Sequence, residues 1–350
     1  MGWPSLSTAV YRLARPLLFR VDSERIHRLT LGALRRFGDS APGRGALSLV
    51  AGRPRRGAPI SVAGLHVRNR IGLGAGFDKD GVALRGWAAL GLGFVELGTV
   101  TPIAQPGNAA PRLFRLRADR ALINRMGFNN DGAEALAARI AAARPALPEG
   151  FVVGVNIGRN RETPDERVVD DYLACYRAVA PVADYVALNV SSPNTPGLRA
   201  MQTPSTIRAL LEALVGSDQR GAAPPLLVKL APDLTADELL ALGTAVVDAG
   251  GAGIVVANTT VSRAGLRTPA PLRDEGGGLS GQPLQPRTLE LVATVRGSLG
   301  DRLAIVASGG IGSGSDAAAA IDAGADLVEL WTGLVYAGPG LIGEAVAATT

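Results

Sequence analysis

Eight short apolar runs, most of them followed by a helix-length segment, dominate the chain after residue 70. The runs lie at 71–75, 94–98, 151–156, 185–190, 226–230, 254–257, 303–307 and 327–330. Segments rich in alanine and leucine lie between most of them, for example at 133–143, 204–215 and 236–249. Short strands that alternate with amphipathic helices indicate parallel strands joined by right-handed crossovers. The sequence therefore predicts the α/β class, as a (β/α)8 TIM barrel with a small N-terminal helical extension.

The first fifty residues lack this rhythm and predict a helical extension at 1–50, ahead of a barrel domain at 51–350. Apolar residues recur there at helical spacing among arginines, with no acidic residue before Asp22; they are Leu6, Val10, Leu13 and Leu17. This pattern suits an interfacial helix that is attracted to anionic lipid. A transit peptide, which is also rich in arginine and poor in acids, and a plain surface helix are the alternatives.

Composition limits the compartment and the partners. Of the 350 residues, 47% are hydrophobic, and the net charge is +5. The basic residues are scattered apart from a cluster at 53–56, so no nucleic-acid partner is expected. The single cysteine, Cys175, excludes an internal disulfide framework, indicates a reducing compartment and suits a buried structural thiol on a helix. No uncharged apolar run reaches the ~18 residues of a spanning helix.

Reactive or small polar residues stand at the end of every predicted barrel strand. They lie at 78–79, 98–99, 156–158, 189–192, 229, 258–259, 308–310 and 331–333. The carboxyl ends of parallel barrel strands meet at one rim, which carries the active site in barrel enzymes. We therefore expect one rim to bind a ligand.

Two glycine-bearing loops follow the last two strands. The loop at 308–312 precedes a helix predicted to begin near Ser315, and the loop at 331–333 follows the eighth strand. Backbone N–H groups in these two loops, together with a helix N-terminus, form the common phosphate site of barrels. This pair of loops predicts that the ligand carries a phosphate.

Only two of the thirty-six basic residues are lysines, and both end predicted strands: Lys79 and Lys229. A compact ammonium differs from a guanidinium in hydration, reach and pKa, so these positions are candidates for chemistry. Beside the amides of Asn156 and Asn189 and the Thr99 hydroxyl, Lys229 suits a flavin, whose reduced pyrimidine edge is anionic. A Schiff-base lysine in an aldolase barrel is the alternative for Lys229.

Acid–base candidates are scarce at this rim. Both histidines, His27 and His66, precede the first barrel strand. The rim offers instead the loop SSPNTPG at 191–197, which two prolines and a glycine keep from being helical. A serine in a closed site can relay a proton if a threonine or water accepts it and the substrate anion is stabilised.

Motifs in order from about Val21 to the C-terminus carry a family resemblance. They lie at 75–81, 96–102, 106–108, 111–115, 124–130, 189–197, 229–234, 258–260 and 277–281. Together they closely resemble the quinone-dependent (class 2) dihydroorotate dehydrogenases. The resemblance implies an FMN-bound barrel that oxidises (S)-dihydroorotate to orotate in pyrimidine (UMP) biosynthesis and passes electrons to a quinone. It also implies that Ser192 accepts the C5 proton while hydride passes from C6 to flavin N5.

The resemblance assigns further residues by motif. FMN would be bound by Ala75, Gly76, Phe77, Asp78, Lys79, Thr99, Asn156, Asn189, Lys229, Ala257, Gly281, Gly310, Trp331 and Thr332. The substrate would contact Lys79, Asn124, Arg125, Met126, Gly127, Phe128, Asn189, Asn194, Asn258 and Thr259. The positions of His27 and Arg115 match those that line a membrane-facing quinone tunnel formed by the N-terminal helices. No metal is expected.

Serine rather than cysteine at the base position, and the segment at 21–27, favour class 2 over the soluble class 1. A match that begins near Val21 weighs against a long cleaved transit peptide. We expect a monomeric peripheral membrane protein on the cytoplasmic side of the bacterial inner membrane. The family commonly has other residues at Ala257, Ser308 and Trp331, so we expect main-chain contacts to FMN there. A related FMN barrel that uses fumarate or nicotinamide, and a non-catalytic membrane-associated scaffold, are the alternatives.

Overall fold

A closed barrel of parallel strands forms the body of the protein. The computed structural model describes residues 6–52, 57–217 and 223–350, so the basic cluster at 53–56 lies outside the described residues. The strands are β1 (Ile60–Val62), β2 (Leu65–Val67), β3 (Ile71–Leu73), β4 (Phe94–Val100), β5 (Leu113–Leu116), β6 (Ala121–Asn124), β7 (Val152–Ile157), β8 (Tyr185–Asn189), β9 (Leu226–Leu230), β10 (Gly253–Val256), β11 (Gly278–Gly281), β12 (Ala304–Ser308) and β13 (Leu327–Leu330). The barrel runs β3-β4-β7-β8-β9-β10-β12-β13, and β13 closes on β3. The predicted (β/α)8 barrel is confirmed.

Helices occupy the connections between the strands and precede the barrel. They are α1 (Leu6–Leu18), α2 (Ser23–Gly38), α3 (Ala41–Val50), α4 (Leu84–Ala89), α5 (Ala133–Ala143), α6 (Val168–Val179), α7 (Pro204–Ser217), α8 (Ala236–Asp248), α9 (Gln285–Leu299), α10 (Gly314–Asp322), α11 (Thr332–Ala337) and α12 (Gly340–Ala348). The helix α5 spans the predicted residues 133–143. Thr235 begins α8 with a reciprocal capping box to Glu238, which stops the helix from extending backwards. Cys175 on α6 is fully buried, as predicted for a structural thiol.

A small hairpin covers the amino-terminal end of the barrel. β1 and β2 pair antiparallel, and Val67 is fully buried in a cluster with Phe94 and Tyr185, which begin two barrel strands. These rings fill the barrel because their neighbours lack side chains. A Cβ on Gly72 would lie 2.4 Å from the Phe94 ring, and one on Gly154 would lie 2.0 Å from the Tyr185 ring. The amino-terminal end is therefore packed core, and the ligand cavity lies at the other end.

A three-stranded antiparallel sheet, absent from the sequence prediction, stands at the carboxyl-terminal end of the barrel. It has the order β11-β6-β5, so that Asn124 lies opposite both Leu113 and Gly278. Its strands come from the long connections that follow β4 and β10. Its own small core includes Leu116 and Ile123, both fully buried. The sheet brings Asn124 to the rim where the barrel strands end.

The predicted N-terminal helical extension is confirmed as α1, α2 and α3. Asp22 caps α2, accepting hydrogen bonds from the N–H groups of Glu24 and Arg25 at 3.0 and 2.9 Å. Glu24 then forms a two-bond ion pair with Arg112, at 2.8 and 3.0 Å. Because this pair is largely buried, it ties α2 to the loop that precedes β5.

The helix α1 packs on the barrel through one face and exposes the other. Tyr11 donates to the carbonyl of Val335 at 2.8 Å. On the opposite face Val10, Leu13 and Leu17 are 59, 82 and 64% exposed. Such an apolar stripe among arginines is typical of a helix that lies on a membrane surface. Within the described ranges, no helix has the length and hydropathy required to cross a bilayer.

Candidate active site

A cavity opens where the barrel strands end. Twenty of the residues predicted for the site line it: His27, Ala75, Gly76, Lys79, Thr99, Asn124, Met126, Gly127, Phe128, Asn189, Ser192, Asn194, Lys229, Ala257, Asn258, Thr259, Gly281, Gly310, Trp331 and Thr332. Ser192 therefore shares one cavity with both lysines of the chain.

Five predicted residues do not line this cavity: Phe77, Asp78, Arg115, Arg125 and Asn156. Asp78 is fully buried and accepts hydrogen bonds from two N–H groups just before α4, both at 2.9 Å. Arg125 pairs with Glu275 at 2.6 Å, and Arg115 donates to the Ser23 hydroxyl at 2.8 Å. These side chains hold the loops and helices that frame the cavity.

Buried amides form a connected network beneath the cavity. The Oδ1 atom of Asn156 accepts from the Thr99 hydroxyl at 2.5 Å and from the Asn189 amide at 3.1 Å. Asn258 in turn donates to Asn189 at 3.3 Å and to the Ser191 hydroxyl at 3.0 Å. Because the network fixes which edge of each amide faces the cavity, it presents a set pattern of donors and acceptors to a ligand.

The loop after β12 exposes bare backbone to the cavity. Gly309 and Gly310 have φ values of 121° and 78°, in the left-handed region that favours glycine. A Cβ on Gly310 would lie 2.3 Å from the Cα of Gln285. A side chain is therefore excluded, and backbone N–H groups are left to face an anion.

Of the two helices near this loop, α11 is the better placed to meet an anion. The N-terminus of α10 is occupied, because Ser313 accepts from the N–H group of Asp316 at 3.1 Å and the Asp316 carboxylate accepts from that of Gly312 at 2.9 Å. The helix α11 begins at Thr332, and the preceding Trp331 side chain caps none of its N–H groups. The helix predicted to begin near Ser315 starts at Gly314.

Ser192 lies in the loop after β8 and is only 6% exposed. Its hydroxyl accepts from the N–H group of Asn194 at 3.2 Å, and the Asn194 amide donates to Asn124 at 3.2 Å. Arg159 donates to the carbonyl of Pro196 at 2.6 Å, which holds the far end of the loop. The loop therefore places an alcohol and an amide over the cavity, as the proline-rich sequence suggested.

The two lysines have opposite environments. Burial, followed by the nearby charge of Arg112, lowers the pKa of Lys79 to about 7. Its ammonium donates to Asn129, and part of the side chain remains open to the cavity. An incoming carboxylate would supply the counter-charge that Lys79 lacks.

Two carboxyl groups flank Lys229. Its Nζ lies 2.9 Å from Glu96 Oε1 and 3.0 Å from Glu329 Oε2. Burial opposes its charge, but Glu329 and Glu96 outweigh burial and hold the pKa of Lys229 above its ordinary value. A Schiff base requires an uncharged amine, so this geometry argues against the aldolase interpretation of Lys229.

The helix α2 carries His27 into the cavity, although both histidines precede the first barrel strand. The ring lies 4.9 Å from the Phe77 ring and parallel to Trp331 at 6.3 Å. Burial, then the charge of Lys79, lowers the pKa of His27 to about 4, so the ring is neutral near pH 7. Its partners are those of an apolar wall rather than of a general base. His66 pairs with Ser61 on the hairpin at the opposite end of the barrel.

The sequence pattern did not predict two carboxyl groups of the site. Glu96 and Glu329 are fully buried on β4 and β13, inside runs that the pattern predicts as apolar strands. A charged residue within a predicted buried strand was the signal that could have found them.

The fold and the cavity define a barrel enzyme with a ligand cavity where its strands end. The family described as dihydroorotate dehydrogenase matches residues 58–347. The chain is 47% identical over 345 residues to the dihydroorotate dehydrogenase (quinone) of Pseudomonas paraeruginosa, covering 97% of this chain and 98% of the relative. It is 48% identical over 345 residues to that of Azotobacter vinelandii, with 97% and 96% covered.

A solved structure agrees with these relatives. The crystal structure of the Eimeria tenella DHODH in complex with ferulenol has a TM-score of 0.79 and 35% identity, covering 86% of this chain and 88% of that one. The chain therefore belongs to the dihydroorotate dehydrogenase family, a family of flavoenzymes. The resemblance inferred from the sequence motifs is confirmed.

Proposed function

We propose that this chain oxidises (S)-dihydroorotate to orotate, with FMN as its cofactor and a quinone as electron acceptor. The observation that carries the proposal is a single cavity that joins a glycine loop, the ammonium of Lys229 and the Ser192 hydroxyl. Relatives named dihydroorotate dehydrogenase (quinone), at 47 and 48% identity over nearly the whole chain, support the same activity.

The residues of the cavity fit a flavin mononucleotide. The bare backbone at Gly309 and Gly310 and the uncapped start of α11 suit its phosphate. The ammonium of Lys229 suits the pyrimidine edge, where negative charge develops on reduction. Glu329 is among the lining residues, and its Oε1 atom is buried with no hydrogen-bond partner among the described residues. When bound, FMN would supply the acceptor for the C6 hydride.

The substrate would be held on the side of the cavity that carries amides and Lys79. Its carboxylate would pair with the Lys79 ammonium, whose pKa is lowered mainly by burial. The amides of Asn124, Asn189, Asn194 and Asn258 would hydrogen-bond the pyrimidine ring. The Ser192 hydroxyl, only 6% exposed, would take the C5 proton and pass its own proton to a water or a threonine hydroxyl.

The N-terminal helices support a quinone as acceptor. His27 on α2 reaches the cavity beside Trp331, and the exposed face of α1 presents Val10, Leu13 and Leu17. We infer that the extension at 1–50 guides a quinone from the cytoplasmic face of the inner membrane to a monomeric barrel domain at 51–350. Arg115 would shape this route indirectly, because its guanidinium lies 4.9 Å from the Phe19 ring.

The absorption spectrum of the purified protein tests the proposal. We expect a yellow protein whose flavin bleaches when dihydroorotate is added without oxygen and recovers its colour when quinone follows. Fumarate and nicotinamide, supplied in turn, serve as the comparison acceptors. A colourless protein, or a reduced flavin that fumarate reoxidises and quinone does not, contradicts the proposal.

The Ser192→Ala variant tests the assigned proton acceptor. We expect it to bind FMN normally and to lose about two to four powers of ten in flavin reduction by dihydroorotate, as for a missing general base. Ser205→Ala on α7 is the control, because that serine is exposed and does not line the cavity. Normal flavin reduction in Ser192→Ala would refute the role.

A further inference from the structure

Three charged side chains from separate strands meet inside the barrel. Glu96, Lys229 and Glu329 lie on β4, β9 and β13, and the side chains of both glutamates are completely buried. The ammonium bridges the two carboxylates at 2.9 and 3.0 Å. Two acids therefore share one base in the buried interior of the barrel.

The charges of this cluster do not balance if all three groups are ionised. Two carboxylates and one ammonium would leave a net negative charge in the barrel core. An uncompensated buried charge costs several kcal/mol, roughly, and such groups usually neutralise instead. One of the two carboxyl groups should therefore hold a proton, and the pair should titrate as a unit.

The hydrogen bonds distinguish the two carboxyl groups. Glu96 accepts from Lys229, from the Asn156 amide at 3.0 Å and from the Tyr185 hydroxyl at 3.3 Å, so three donors meet its two oxygens. Glu329 accepts from Lys229 through Oε2, while its Oε1 finds no partner in the described part of the chain. We propose that Glu329 carries the proton of the cluster and that its carboxylic O–H is a hydrogen-bond donor to the flavin.

The surroundings of Glu329 agree with this assignment. Burial, then the charge of Glu96, raises the pKa of Glu329, against the opposing charge of Lys229 and a Ser308 hydroxyl that forms no hydrogen bond to Oε1. The other titratable group of the cluster is Tyr185, whose pKa burial raises further, so it stays neutral. Near pH 7 the cluster is then one ammonium, one carboxylate and one carboxylic acid.

Three variants test the proposal, which rests on the proposed function only in naming flavin as the occupant. Glu329→Gln keeps a neutral side chain with an acceptor for Lys229 and a donor for the cavity. Glu329→Met keeps the approximate volume and removes both polar groups. Glu96→Gln is the matched control, because it removes the carboxylate that accepts from Asn156 and Tyr185. The readouts are FMN affinity, from the fluorescence of released cofactor, and the infrared carbonyl band of a buried carboxylic acid.

We expect Glu329→Gln to bind FMN within about threefold of the parent at pH 6, whereas Glu329→Met loses about tenfold or more, as for one lost buried hydrogen bond. The parent should lose FMN affinity as the pH rises above neutral and Glu329 gives up its proton, and Glu329→Gln should not. The carbonyl band should be present in the parent at pH 6 and absent in Glu329→Gln.

Three outcomes overturn the proposal. They are a parent without the carbonyl band, a Glu329→Gln variant as impaired as Glu329→Met, and a Glu96→Gln variant that binds FMN better than Glu329→Gln. A purified protein that binds no flavin refutes the proposed function instead. The carbonyl band belongs to the protein itself and would still decide where the proton lies.

Discussion

Raising the pH should weaken the binding of orotate through Lys79. In the unliganded protein, burial and Arg112 lower the pKa of Lys79 to about 7. In the proposed complex the ammonium pairs with the carboxylate of the ligand and must be charged. Above pH 7 each binding event therefore takes up one proton from solution.

The coupling between proton uptake and orotate binding sets how steeply the dissociation constant depends on pH. Once the free enzyme is deprotonated at Lys79, the dissociation constant for orotate should rise about tenfold for each further pH unit, the equivalent of about 1.4 kcal/mol. At pH 8 about nine-tenths of the unliganded Lys79 is uncharged if its pKa is about 7, so binding should take up about 0.9 proton. At pH 6 the same calculation gives about 0.1 proton.

Titration calorimetry in buffers of different ionisation enthalpy measures this uptake directly on the flavin-loaded protein. Lys79→Arg is the matched control, because a guanidinium stays charged across this range and should give a flat pH profile that also reports any titration of the ligand. Lys79→Met should bind orotate weakly at every pH. A parent profile that parallels Lys79→Arg between pH 6 and pH 8.5 would refute the reasoning.

Three further predictions follow from the site. Gly310→Ala should lose FMN, because its Cβ would lie 2.3 Å from the Gln285 Cα. The control Gly297→Ala, whose Cβ would meet no atom within 4 Å, should retain FMN. Full FMN content in both variants would contradict the assignment of the loop at 308–312 to the phosphate. In the folded protein His27 has a pKa of about 4, so the unfolded chain binds its proton first as the pH falls. The free energy of unfolding should therefore decrease between pH 6.5 and pH 4. Urea unfolding should show a smaller loss for His27→Gln than for the parent, by at most about 3 kcal/mol. Equal losses in the two proteins would refute this prediction. Removing residues 1–40 should spare flavin reduction by dihydroorotate and impair reoxidation by long-chain quinone; two unchanged half-reactions refute the tunnel.

The barrel was predictable because its strands are continuous apolar runs. Each of the eight predicted runs overlaps one barrel strand, and the run at 327–330 matches β13 at both ends. The sheet of β5, β6 and β11 was not predictable, because four-residue strands carry no clear alternation. Its pairing of Gly278 with Asn124 also joins positions far apart in sequence. Long-range register is information that a local pattern does not hold.

The convergence of the strand ends predicted most residues of the site but not the directions of their side chains. It brought Lys79, Ser192 and Lys229 into one cavity, since the carboxyl ends of barrel strands converge. It could not predict that Asp78 does not line the cavity, because that carboxylate accepts hydrogen bonds from the N–H groups just before α4. Nor could it bring His27 to the cavity, because the position of α2 depends on contacts such as Glu24 with Arg112.

The charged cluster inside the barrel lies between these two cases. The eight apolar runs contain three charged residues, and these are Glu96, Lys229 and Glu329. Two acids and one base on buried strands already imply a retained proton, because a dry core does not hold the spare charge. The choice between the acids depends on hydrogen bonds to Asn156 and Tyr185, which belong to two other strands. The existence of a neutral carboxyl group thus follows from composition along the strands, and its identity only from their register around the barrel.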